Sequence, residues 1–562
     1  MSKRQVNRVK RTFIPIVTLL ALTVSGCSDG SGGDDAVPKQ PAGNAAEKPD
    51  PYGKYSEPVT VNLGYYTPAE NKWPEGSKDT LTDNHYTKLI EEKFNIKINH
   101  AFEAPQSGYD QKVSLLVSSN DIPDFLFVSQ SDYNLLVESD MLEDLTQVYD
   151  HYASPLLKKV ISGYGPDFIK KVTYKNKLYG IPSTVPAHDN DNMVWIRTDW
   201  LKQVGINLPK VITLNDLEKV ARAFIEQDPD GNGKKDTYGI QGTSTFVTGT
   251  TNYNSFDGVF TALKSFPKIW VKDSGGNIVY GSTMPETKQA LAKLREWYAQ
   301  GLIDKEFGTI KPDQVAKDIS AGKAGITTGY TWAPAKSLAD SVKNDPKAEW
   351  DSFILAASDG KWYNRQPNPM GRILVVKKGA KNPEAIVKLI NWFTDMDNMA
   401  PGYPKLYSDS PGTNWQVRPI QRTFRVKSTV YDRFQRLQDA ASGKLKREEL
   451  PESDIKLFDQ YQKGMGALKA SPSDWAYILY QFNAGKNVLN PINTEVYSEF
   501  YGITKSMEMK WANLAKLEDE AFLRIIVGDK PLDYFETFVS EWKKQGGDDV
   551  TKEVQKEVER LK

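Results

Sequence analysis

Apolar and polar positions along this chain switch repeatedly between two periods. Val59 to Tyr66 (VTVNLGYY) is an apolar run of strand length, and Thr82 to Phe94 follows with helical spacing. Asn95 to Phe102 (NIKINHAF) returns to strand character, and Tyr109 to Ser118 is helical again. Asn120-Asp121-Ile122-Pro123-Asp124 then turns the chain into the apolar run Phe125 to Val128. Strands and helices in alternation predict an α/β fold with a parallel sheet. Ligands of such sheets sit beyond the carboxyl ends of the strands, which makes Tyr65, Tyr66, Ser129 and Gln130 candidate cleft residues.

The clearest amphipathic helix starts at Thr213. Asp216 stands three residues on, as in a capping box, and Leu214, Leu217, Val220, Ala221, Phe224 and Ile225 recur on one face. Asp228-Pro229 ends it, because proline disfavours helical geometry in the residue before it. The next stretch reads Asp228-x-Asp230-x-Asn232-Gly233-x-x-Asp236. Alternate short oxygen-bearing side chains with a glycine at the sharp turn are what a hard cation requires, and the Lys234 carbonyl supplies the backbone ligand of an EF-hand loop. Asp228, Asp230, Asn232, Lys234 and Asp236 are therefore the expected ligands of a structural Ca2+. Gly239 occupies the twelfth position, where a bidentate Glu is usual, so another oxygen or water must complete the shell. The bland alternative is a solvated Asp/Asn/Gly turn.

Lys3, Arg4, Arg8, Lys10 and Arg11 precede a short apolar core from Phe13 to Val24, the pattern of an export signal. The run is shorter than the about 20 residues of a membrane span. Leu22 to Cys27 (LTVSGC) resembles the lipobox of bacterial lipoproteins, which implies cleavage before Cys27 and a lipid on its sulfur. Cys27 is the sole cysteine, so no disulfide forms within the chain. Ser28 to Pro58, rich in Gly, Ser, Pro and Asp, reads as a flexible tether. Without the five basic residues of the signal, 67 basic side chains face 72 acidic ones, a net of −5. That balance argues against nucleic acid or anionic lipid as partner. Roughly 500 residues beyond the tether exceed one ordinary domain and predict two lobes.

Several stretches in fixed order carry a family resemblance. They are Leu115 to Phe127 (LLVSSNDIPDFLF), Leu136 to Leu145 (LVESDMLEDL), Leu178 to Pro182 (LYGIP), Trp195 to Leu201 (WIRTDWL), Pro285 to Phe307 (PETKQALAKLREWYAQGLIDKEF), Ala321 to Gly325 (AGKAG) and Gly546 to Val554 (GGDDVTKEV). From about residue 58 onward the chain resembles the bacterial family 1 extracellular solute-binding proteins, in particular the large lipoproteins of Gram-positive sugar-uptake systems. The resemblance implies a two-lobed α/β fold of the periplasmic-binding-protein type with hinge crossovers and a largely helical C-terminal part. The expected organisation is a signal peptide (1–26), a lipidated tether (27–58), a first lobe (59–192), a second lobe with the calcium loop (193–371), a return to the first lobe (372–410), and a mostly helical part shared between lobes (411–562). Asn192 to Arg197 and Arg372 to Val376 are the expected crossings.

Catalytic patterns are thin: His85, His100, His151 and His188 fall in no metal-ligand or triad motif, and no nucleophile elbow or phosphate loop is present. Aromatics carry more. Sugar rings want flat aromatic platforms edged by polar groups. Trp297, Trp392 and Trp200 lie on apolar faces and read as core, and Trp270 as a hairpin residue. Trp73, Trp332, Trp362, Tyr363 and Trp415 stand in loops and are candidate platforms, with Asn84, His85, Asp189 and Arg365 as candidate polar partners; an arginine fork suits hydroxyl pairs or a uronate. These features, with the resemblance, imply a lipid-anchored monomeric receptor of an ABC importer that captures an oligosaccharide or related polyhydroxy ligand and presents it to membrane permease subunits. The alternatives are an anchored polysaccharide-processing enzyme and a sensor or peptide-binding lipoprotein.

Overall fold

The computed structural model describes residues 49–67, 78–105, 108–249, 253–335, 337–399 and 417–561. Two sheets organise residues 49 onward. In the first, strands run in the order Ile96–Pro105, Val59–Thr67, Phe125–Val128, Met370–Val376, Ile181–Thr184. The first three are parallel, as alternating strand–helix units dictate. Met370–Val376 is antiparallel to both its neighbours. The all-parallel expectation fails at this strand because the chain enters it from Trp362–Arg365, a strand outside this sheet, at the end where the parallel strands leave.

Register slips between Leu63 and Gly64. A Cβ on Gly64 would lie 2.5 Å from the Phe102 ring and 2.8 Å from Leu126, so only glycine lets the strands approach here. The slip immediately precedes Tyr65 and Tyr66.

The second sheet has the order Ile326–Tyr330, Asn192–Arg197, Trp350–Leu355, Val211–Ile212. Its central strands are buried on both faces, and alternation divides their side chains between two cores. Val194, Ile196, Phe353 and Leu355 join a cluster completed by the helices Pro285–Ala299, Lys505–Ile526 and Asp548–Leu561. Met193, Trp195, Trp350 and Ile354 join another, completed by Thr429–Ala441 and Pro472–Ile478. The capping box on Leu214–Glu226 forms as expected: Thr213 Oγ1 accepts from Asp216 N and Asp216 accepts from Thr213 N.

Both expected crossing strands lie wholly inside a sheet. The chain passes between sheets just before each of them, over 185–191 and 366–369, because an apolar six- or seven-residue run is better buried in a sheet than spanning a hinge. A third passage is made by 425–428, between Phe424 of the first core and Phe434 of the third.

Candidate functional site

The three passages lie side by side. Thr184 N donates to Thr423 O (2.8 Å), Ala187 N to Lys427 O (3.0 Å) and Val185 N to Pro369 O (2.9 Å). Thr184 Oγ1 accepts from Arg425 N (2.7 Å) and lies 2.9 Å from Arg425 O. Side chains latch the bundle. His188 N donates to Gln366 Oε1 (2.9 Å), and Gln366 Nε2 donates to Asp191 Oδ1 (2.8 Å). The His188 ring spans Asp191 (2.8 Å) and Glu495 (2.9 Å), and Lys427 reaches the other Glu495 oxygen at 2.9 Å. Burial alone would lower the His188 pKa, but its hydrogen bonds and opposite charges outweigh that and raise it to about 9. The bond to His188 is the chief reason Glu495 is lowered to about 2.

On the first-sheet side, the carboxyl ends of Val59–Thr67 and Phe125–Val128 present an aromatic and cationic wall. Tyr65 stacks on His100 at 4.1 Å and accepts from Gln421 Nε2 at 2.8 Å. Tyr66 meets Tyr109 edge-on, and the Arg422 guanidinium lies over the Tyr66 ring at 4.7 Å. Arg372, paired with Asp110, stands near enough that its charge acts on Arg422. Ser129 caps the helix Gln130–Glu138, and Gln130 is bonded to Asn134 and the Lys171 carbonyl.

Within the first passage, Asp189 is raised by burial, with the Arg425 charge opposing the shift. Its carbonyl accepts from Thr331 Oγ1 (2.7 Å), and neighbouring Asn190 accepts from Trp332 Nε1 (3.1 Å). Trp332 stacks on Tyr330 at 3.8 Å. Tyr431 packs against His188, and Tyr480 Oη lies 3.5 Å from Asp189.

The structure thus brings Tyr65, Tyr66 and Ser129 to the first-sheet side of the passages, sets Asp189 on a passage itself, and holds Trp332 against that passage through Asn190. It places other expected site residues elsewhere. Trp362 is fully buried in the third core, so its ring has no face to offer. Tyr363 turns the other way, against Phe266 and Asp359. Arg365 is 1 % exposed and held by Asp257 and the Thr248 and Pro267 carbonyls. Asn84 is a buried N-cap whose amide donates to Thr80 and Leu81 carbonyls, and His85 stacks on Tyr86. Trp73, Trp415 and Cys27 lie outside the described residues. The sequence reading missed Arg372, Gln421, Arg422, Arg425, Tyr431 and Tyr480. The only signal for the central ones was Arg422-x-x-Arg425 in a stretch without helical or strand period.

In the acidic loop, Asp228 accepts from Asn232 N (3.1 Å) and Gly233 N (2.8 Å), and the Gly233 bond leads the causes that lower its pKa. Asn232 Nδ2 stands between Asp230 (2.6 Å) and Asp236 (3.0 Å). Asp230 is raised, by burial first and then by the neighbouring carboxylates. Among the described residues no three acidic, His or Cys side chains converge as a preformed metal cluster. The donor chemistry nonetheless fits an oxygen-seeking cation, with an amide hydrogen pair now bridging two carboxylates and the Asn232 carbonyl available on rotation. Gly239 has a steric reason to be glycine. A Cβ there would lie 2.5 Å from the Leu302 carbonyl, which is itself bonded to Ile240 N, so no Glu fits at the twelfth position.

Residues 79–400 match the sequence profile of the bacterial extracellular solute-binding proteins. The chain is 24% identical to Lipoprotein LipO of Bacillus subtilis over 86% of this chain and 92% of that protein. It is 26% identical to the polygalacturonan/rhamnogalacturonan-binding protein YtcQ of the same organism, over 70% and 72%. Among solved structures, an EF-hand mutant of the Streptococcus pneumoniae substrate-binding protein FusA, in complex with fructo-nystose, superposes with a TM-score of 0.58 at 19% identity. That match covers 89% of this chain and 99% of the other.

Proposed function

This chain belongs to the bacterial extracellular solute-binding proteins, and from that premise we propose that it captures an oligosaccharide by closing two lobes about the three passages. The observation that carries this reading is the hinge itself. Three parallel-lying chain segments, few in residues and bonded to one another, join two separately cored bodies, and polar and aromatic side chains converge on either side of them. Relatives that bind polygalacturonan and fructo-nystose support a sugar as the cargo. The closed form would be presented to permease subunits of an ABC importer, and Cys27 would hold the receptor at the outer face of the membrane by a lipid. The protein acts by binding and not by catalysis.

Ca2+ would occupy the loop at Asp228, Asp230, Asn232, Lys234 and Asp236. Its role is to stiffen the second body, since closure needs rigid halves; the existence of an EF-hand variant of FusA supports such a loop in a protein of this fold. The test is thermal unfolding of residues 58–562 against a panel of oligosaccharides with and without Ca2+. A glycan that raises the melting temperature and is recovered unchanged supports the receptor. Consumption of the glycan would point to an enzyme instead.

A further inference from the structure

The stretch 418–425 carries three arginines with different fates. Arg418 is 1 % exposed and paired with Asp397 at 2.8 Å. Arg422 and Arg425 form no ion pair among the described residues. Arg422 donates from Nη1 to the Gln421 carbonyl (2.9 Å), hydrogen-bonds with the Tyr66 side chain, and rests on the Tyr66 and Phe127 rings. The Arg425 guanidinium donates no hydrogen bond among the described residues; Asp189 acts on it from beyond ion-pair distance. The Nε atoms of both are buried without an acceptor. Arg372 adds a third cation nearby, with Asp110 as its partner and Nη1 buried and unbonded.

A partly buried guanidinium loses hydration that only an anion or several carbonyls can replace. Two such groups stand within one short segment that leads into the third passage. Burial lowers the Arg422 pKa, and the nearby Arg372 charge adds to the shift. A planar carboxylate offers two oxygens to a guanidinium fork and would supply the missing acceptors.

We propose that Arg422 and Arg425, with Arg372 near Arg422, form a subsite for a carboxylate on the ligand, so that the cargo is an acidic oligosaccharide. This deepens the receptor reading and rests on it. Because Arg425 lies on the hinge between Thr184 and Asp189, pairing it with a ligand anion couples binding to the position of the passages.

The test is calorimetric titration of the full chain in detergent with α-1,4-linked trigalacturonate, its trimethyl ester and neutral trisaccharides, for the wild type, Arg422→Gln and Arg425→Gln. The expected result is tight binding of the acid and loss of about 10- to 100-fold on esterification or in either variant, the worth of a charge-assisted hydrogen bond or two. Unliganded melting temperatures near wild type show that the variants fold, and the ester comparison needs no variant. Equal binding of acid and ester, or of acid by wild type and both variants, would overturn the subsite. Binding of a neutral trisaccharide with no preference for the acid would overturn it while leaving the receptor reading standing. Binding of none of these sugars would bring down both.

Discussion

Arg365 and Arg422 make an instructive pair. Arg365 lies deep in the second body with a carboxylate and two carbonyls built around it. Arg422 lies just before the third passage against two rings, with one carbonyl, the Tyr66 side chain and no carboxylate among the described residues. Both are arginines removed from bulk water and each keeps a buried Nε without an acceptor, yet the fold gives Arg365 a carboxylate and Arg422 none among the described residues. A buried charge whose partner is part of the chain holds structure together; one whose partner is absent waits for something from outside. The acidic loop gathers charge of the opposite sign at the surface, where Asp230 and Asp236 are exposed and share the Asn232 amide between them.

The largest effect should come from breaking the completed pair. Arg365→Gln takes the opposite charge from buried Asp257, leaving it the hydrogen bonds from Thr248 and Ser255, and should lower unfolding stability in urea by about 3–5 kcal/mol. A change under about 1 kcal/mol would mean that the pair is not structurally required.

Filling the open acidic loop should follow in size. Ca2+ at 100 times its dissociation constant stabilises by about 2.7 kcal/mol, so melting temperature should rise with Ca2+ and fall with chelator. Asp230→Asn should remove that response. A loop indifferent to Ca2+ would be a solvated turn.

Smaller still is the pH response of the completed His188 latch. His188 is raised in the folded state, so its contribution is full below about 6.5, its unfolded value, and is lost as pH rises through about 9. Glu495 is lowered, so its share is present above about 4.5 and lost as pH falls through about 2. The melting-temperature difference between wild type and His188→Gln should therefore be steady to about pH 6.5 and shrink toward pH 9. A difference that stays constant across that window would show that His188 is not charged in the fold.

Local order was readable where one segment determines itself. The Thr213 capping box and the parallel strands from Val59 to Val128 both follow from short-range period and punctuation. Burial in the assembled body was not readable. Trp362 and Arg365 look like loop residues in the chain but sit on a short strand paired with Asn493–Val496, over a hundred residues away. Asn192–Arg197 looked like a crossing because an apolar strand buried on both faces carries no mark of which sheet receives it. The hinge arginines escaped notice because 418–425 has no period at all, and their meaning lies in carboxylates that are not there.

Unfolding of Arg365→Gln and Arg422→Gln, measured side by side without ligand, tests the contrast most directly. The account predicts a large loss for Arg365→Gln and a melting temperature for Arg422→Gln at or above wild type, because neutralising an unpaired cation removes a cost. Equal losses in both variants would mean that Arg422 already has its partner within the fold, and that the hinge is not waiting for an anion.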